Sequence, residues 1–150
     1  MEMPTFEEQV SKQVDFWKDI LSLRDWNTGV RVVRQWELDD EHTIAQVDYN
    51  LRKKDAILKV LSPKDLDRHA SMSVDGEERD YDVHIAHELL HLHFAPLQLE
   101  GKQNEIGEEQ AVHSIGRGLV RLYRHNETLQ AIQPAPEVLT EPVKPTGHYI

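Results

Sequence analysis

The apolar residues of this 150-residue chain change their period twice, and that change fixes the class of fold open to it. Thr5 and Glu8 are spaced as a capping box, and Phe6, Val10, Trp17, Ile20 and Leu21 follow at helical spacing, which predicts a helix over residues 6–24. Beyond Asn27, Thr28 and Gly29 the period falls to two. Val30, Val32, Trp36 and Leu38 predict a first strand, Ala45, Val47 and Tyr49 a second within 43–51, and the run 56–61 a third. The acidic turn at Asp39, Asp40 and Glu41 and the polar turn at 52–55 separate them, so a three-stranded antiparallel meander is the economical arrangement.

Helical period then returns. Asp80 stands at a capping position ahead of Val83, Ile85, Ala86, Leu89, Leu90 and Phe94, and Pro96 ends that run. After a loop through Gly101 and Gly107, the spacing of Val112, Ile115, Leu119, Leu122 and Tyr123 predicts a helix over 108–125. The expectation is an α+β fold in one domain, residues 1–126. A short helical turn is expected at Ser62, Pro63, Lys64 and Asp65, and a loop over 71–79. Residues 127–150 carry Pro134, Pro136, Pro142 and Pro145 and read as an extended or flexible tail.

Composition narrows the chemistry. No cysteine is present, so any tight metal site must draw on His, Asp or Glu. A net charge of -10 and a pI near 5.3 disfavour a phosphate-neutralising surface, and nucleic acid is not an expected partner. No stretch has the length and apolarity of a membrane span and no secretory leader is read at the start, so a cytoplasmic protein without a membrane partner is expected.

Within the second long helix stands His87-Glu88-Leu89-Leu90-His91. Positions four apart lie one above the other, so both imidazoles can aim a nitrogen at one point about 2 Å beyond each ring. Glu88 is rotated by about 100° from His87 and stands beside that point, where it can hold a water. This is the His-Glu-x-x-His pattern of zinc metalloproteases, in the helical context that the pattern requires. A catalytic zinc takes a third protein ligand and keeps one position open. Glu108 and Glu109 are the natural donors, each about one turn before Val112, and spacing alone does not choose between them.

On these residues the chain resembles the zincin metallopeptidases, in the gluzincin branch, where a glutamate on a downstream helix completes the site. The likeness is fullest over residues 80–123. In thermolysin-like and ImmA/IrrE-type gluzincins a polar residue follows the ligand glutamate by four, then come a large apolar and often a small residue. Glu109, His113, Ile115 and Gly116 match that order, although the family more often has Asp or Asn where His113 stands. The resemblance therefore implies Zn2+ held by His87, His91 and Glu109, with Glu108 as the alternative third ligand and Glu88 as the general base. The element order also resembles the short minigluzincins of phages and mobile elements, which implies a zincin-like fold and a protein or peptide substrate. In zincins an edge strand above the site pairs with the substrate, and Ala56, Ile57 and Leu58 fall where that strand is expected.

Of the other histidines, His84 shares nearly the face of His87 and His91, while His93 points away from it. Tyr123 and His125 are candidates for stabilising an oxyanion. The rival reading is a catalytically inactive, zinc-bearing binding or regulatory module, in which the metal serves folding alone.

Overall fold

A computed structural model describes residues 2–66 and 80–132; the loop expected at 71–79 and the proline-rich stretch from 133 lie outside the described residues. The architecture is α+β. Helix α1 (Phe6–Ile20) leads into strand β1 (Asn27–Val33), followed by β2 (Ala45–Asn50), β3 (Asp55–Leu61), the short helix α2 (Pro63–Leu66), then α3 (Tyr81–Phe94) and α4 (Lys102–Ile132). No described helix is long and apolar enough to cross a membrane.

The capping box that opens α1 is formed: Thr5 Oγ1 accepts from the Glu8 amide at 3.2 Å, and Glu8 Oε2 accepts from the Thr5 amide at 2.8 Å. The helix stops at Ile20, short of residue 24, because Ser22 turns left-handed with φ 60°. That turn folds Leu23 and Trp26 back under the sheet, where both are buried.

The sheet is mixed and ordered β1-β3-β2, which corrects the expected antiparallel meander. β3 is the central strand, parallel to β1 with Val30 beside Leu58, and antiparallel to β2 with Val47 beside Leu58. The reason lies at the end of β1. The first strand stops at Val33, before the expected Trp36 and Leu38, because the buried Asp65 carboxylate takes hold of the chain there. It accepts from Arg34 Nε at 2.7 Å, Arg34 Nη2 at 2.9 Å and the Gln35 amide at 3.0 Å. Residues 35–37 turn as a 3-10 helix, and the segment up to residue 44 carries the chain to the far edge. Trp36 is thereby 74% exposed, resting on the Arg34 guanidinium, while Leu38 and Ile44 bury against Val33, Leu61 and Leu66.

The main core forms where Val10, Val14 and Trp17 of α1, Leu58 and Val60 of β3, Ile85, Leu89 and Leu92 of α3, and Val112 and Val120 of α4 meet. α3 packs against α1, β2 and α4, so it lies at the centre of the molecule. Its first turn is tied from both sides. Asp82 Oδ1 accepts from Trp17 Nε1 at 2.9 Å, and Arg124 Nη2 donates to Asp80 Oδ1 at 2.7 Å and to Asp82 Oδ2 at 3.2 Å. Asp80 occupies the N-cap position of α3, yet its side chain makes no capping bond, because the carboxylate is turned to Arg124.

α4 begins at Lys102, just after Gly101 (φ 93°), and runs through Gly107 without a break. An interior glycine costs about 1 kcal/mol relative to alanine, too little to interrupt a helix held by the packing of Val112, Gly116 and Val120. The helix also passes residue 125, with Thr128 Oγ1 donating to the Arg124 carbonyl at 3.0 Å, and ends at Ile132.

Candidate metal centre

α3 buries Ile85, Ala86, Leu89 and Leu92 on one face and packs against β2 and α4, with His87 and His91 on the opposite face. The side chains of these two histidines are 18% and 15% exposed. Their Nε2 atoms are 3.3 Å apart. α4 can cross close to them because Gly116 lies against His87: a Cβ at Gly116 would stand 3.4 Å from the His87 amide nitrogen and 3.6 Å from its Cα. Two turns earlier on α4, the Glu109 carboxylate spans the pair, with Oε1 3.0 Å from His91 Nε2 and Oε2 3.2 Å from His87 Nε2.

These separations fit a bound metal. Donors about 2.0–2.1 Å from a tetrahedral zinc stand about 3.3–3.4 Å from one another. The ligand atoms of His87, Glu88 and His91 also fall within 4.8 Å of one another, so these three can form a metal-holding group. Glu109 nevertheless lies nearer to both imidazoles than Glu88 does, since Glu88 Oε1 is 3.9 Å from His87 Nε2. Glu108, the alternative from spacing, faces the other nitrogen of His91, with Oε1 3.6 Å from Nδ1.

Glu88 is held from the sheet. The Val47 amide, on the side of β2 away from β3, donates to Glu88 Oε2 at 3.1 Å. Burial pushes the Glu88 carboxyl up to about 8; the Glu109 and Asp48 carboxylates add to the rise and the Val47 N–H opposes it. Burial likewise holds the His87 imidazole below its ordinary value, with the Glu109 carboxylate pulling the other way. In the metal-free protein His87 is therefore neutral at pH 7, the form that ligates a metal.

Around these groups opens a cleft of about 400 Å³, bordered by β2 on one side and by Glu108 and Glu109 on the other. A second cavity of about 310 Å³ continues past His87 and Glu88 and is lined by His42, His84 and His113. Its position confirms that His84 faces the site. His113 stacks edge-on against His87 with ring centres 6.0 Å apart, and no hydrogen bond joins them. His93 points away, with Nε2 donating to the Leu21 carbonyl at 2.6 Å. Tyr123 lies outside both cavities, packed on Phe16 and Trp17 with its hydroxyl donating to Glu127 at 2.7 Å, and His125 lines neither.

The strand beside the site is β2, not the one carrying Ala56, Ile57 and Leu58; that strand is central and paired on both sides. Sequence reasoning also missed Arg124 and the Val47 amide. Arg124 had a signal available, as a cation on the glutamate helix with Asp80 and Asp82 unpaired in the sequence. A backbone amide carries none.

No family model, curated protein or solved structure matches this chain.

Proposed function

We propose that this protein is a zinc-dependent peptidase of the gluzincin kind, with His87, His91 and Glu109 as metal ligands and Glu88 as general base. One observation carries the reading. Two imidazole nitrogens and a carboxylate from a second helix converge at 3.0–3.3 Å beside a largely buried glutamate, in the lining of an open cleft. A purely structural zinc site is closed by four protein donors and has no use for such an acid.

Zinc, when bound there, supplies Lewis acidity that polarises a scissile carbonyl and lowers the pKa of water. Glu88 takes the proton of the attacking water and passes it to the leaving amine. The Val47 N–H fixes Oε2 of that carboxylate and leaves Oε1 to move the proton. On β2, the backbone groups of Ala45 and Tyr49 and the Val47 carbonyl point away from β3, the Val47 N–H being engaged by Glu88, so this edge can add an extended peptide as a further strand. Glu108 stands beside the candidate metal centre, with Oε1 3.6 Å from His91 Nδ1.

The test is a pair of measurements on purified protein. Wild type should bind one zinc per chain and cut peptides, and chelation should abolish cutting while leaving most of the helical signal. Glu88→Gln should keep the metal and lose hydrolysis. A Glu88→Gln protein as active as the parent removes Glu88 from the chemistry, and unfolding on chelation favours a binding module held together by metal.

A further inference from the structure

Ala45, Val47 and Tyr49 share one face of β2, because side chains alternate along a strand, and all three line the cleft that holds His87, Glu88 and His91. They are unlike one another. Ala45 is small and buried, Val47 packs on the main core, and Tyr49 is 49% exposed. The Tyr49 ring stands edge-on to the buried Trp26, with centres 6.3 Å apart and planes at 90°. An aromatic side chain is thus held at one end of this strand and none at the other.

The backbone of β2 sets where a paired peptide must lie. The Leu61 amide donates to the Ile44 carbonyl at 2.8 Å, so residues 44, 46, 48 and 50 turn their backbone groups to β3 and residues 45, 47 and 49 turn theirs outward. The Val47 N–H is already given to Glu88 Oε2 at 3.1 Å. In an antiparallel ladder that N–H is the donor to the carbonyl of the residue opposite Val47. This carbonyl therefore lacks its partner in the ladder, and it lies beside Glu88 and the candidate metal centre. The residue two before it stands opposite Tyr49, on the same face, with Cβ atoms about 4.5–5.5 Å apart. The residue two after it stands opposite Ala45.

We infer that Tyr49 is a specificity-determining residue: a peptide antiparallel to β2 is cut after the residue opposite Val47, and an aromatic or large aliphatic side chain is selected at the third residue before the cut, opposite Tyr49. The inference rests on the peptidase reading and names its substrate class. Antiparallel pairing is the more stable of the two ladders, and cross-strand aromatic pairs strengthen it further.

Zinc-loaded wild type is given a degenerate peptide library, and the cut sites are read by mass spectrometry. Phe, Tyr, Leu and Ile should be enriched at the third residue before the cut, and no matching enrichment should appear at the second residue after it, opposite Ala45. For two peptides differing only at the third residue, kcat/KM should be about two- to fivefold higher with Phe than with Ala. Tyr49→Ala should bring that ratio close to one, and Tyr49→Phe should restore it. Trp36→Ala, which removes an exposed aromatic outside this cleft, should leave the ratio as in wild type. A flat profile at the third residue, enrichment only after the cut, or a ratio that Tyr49→Ala leaves intact overturns the inference and spares the peptidase reading. A Trp36→Ala effect as large as that of Tyr49→Ala also overturns it. A wild-type protein that cuts no library peptide overturns the peptidase reading, and the inference with it.

Discussion

The amide of Val47 donates to Glu88 Oε2 at 3.1 Å, so an outer edge of the sheet holds the least exposed acid of the candidate site. The bond opposes the effect of burial and keeps more of that carboxylate ionised. Because the Val47 N–H points away from β3, a proline there removes the donor without taking a bond from the ladder. Val47→Pro should raise the Glu88 pKa further, move the acid limb of the pH–rate profile upward and lower kcat by about ten- to a hundredfold. Zinc affinity should stay close to wild type, and Val47→Ala, which keeps the amide, should be nearly unaffected. Steady-state kinetics across pH checks both variants.

Gly116 sets how closely α4 approaches His87. An added methyl meets only ordinary van der Waals contact, and alanine favours the helix by up to about 1 kcal/mol, so Gly116→Ala should be neutral or slightly stabilising. Gly116→Leu must push α4 away and take Glu109 with it. Calorimetric zinc titration should show affinity near wild type for the first and a loss of at least about tenfold for the second.

Arg124 clasps Asp80 and Asp82 and so ties α4 to the start of α3. Burial alone would raise the Asp80 carboxyl, but the guanidinium overrides it and holds the group below its usual range. A carboxyl depressed on folding adds stability above its unfolded pKa, about 3.9, and that stability is lost as pH falls through the folded value. Arg124→Met should therefore cost about 1 kcal/mol at neutral pH, the modest figure reflecting solvent screening of a partly exposed pair. The difference between wild type and variant should shrink below about pH 4. Urea unfolding at several pH values measures it.

Tyr81 donates its hydroxyl to the Leu61 carbonyl at 2.9 Å, and burial pushes the phenol up to about 12. A phenol raised on folding adds stability that is complete below its unfolded pKa near 10 and is lost as pH rises through 12. Tyr81→Phe should cost about 1 kcal/mol at pH 7 and flatten the alkaline loss of stability between pH 10 and 12. Unfolding curves over that range give the answer.

The α+β class and the placing of His87, Glu88 and His91 on a core helix were legible because periodicity and i,i+4 spacing are local properties. Glu109 over Glu108 rested on the resemblance of the residues after it to the gluzincin order; Glu109 stands 3.0 and 3.2 Å from His91 and His87 Nε2, while Glu108 stands 3.6 Å from His91 Nδ1. Strand order was not legible. The alternation through Trp36 and Leu38 looks like a strand, and only the buried Asp65, thirty residues away, reveals the turn at Arg34. The edge strand was misplaced for the same reason: which strand is central depends on where residues 34–44 carry the chain, and no local pattern records that.

The central claim is that Glu109 completes a zinc site with His87 and His91. Calorimetric zinc titration of wild type, Glu109→Gln and Glu108→Gln tests it most directly. The account predicts one zinc per wild-type chain, a loss for Glu109→Gln well beyond the roughly 10–100-fold that an outer partner costs, and a loss for Glu108→Gln no larger than that range. A wild-type protein that takes up no zinc, or a larger loss for Glu108→Gln than for Glu109→Gln, contradicts it.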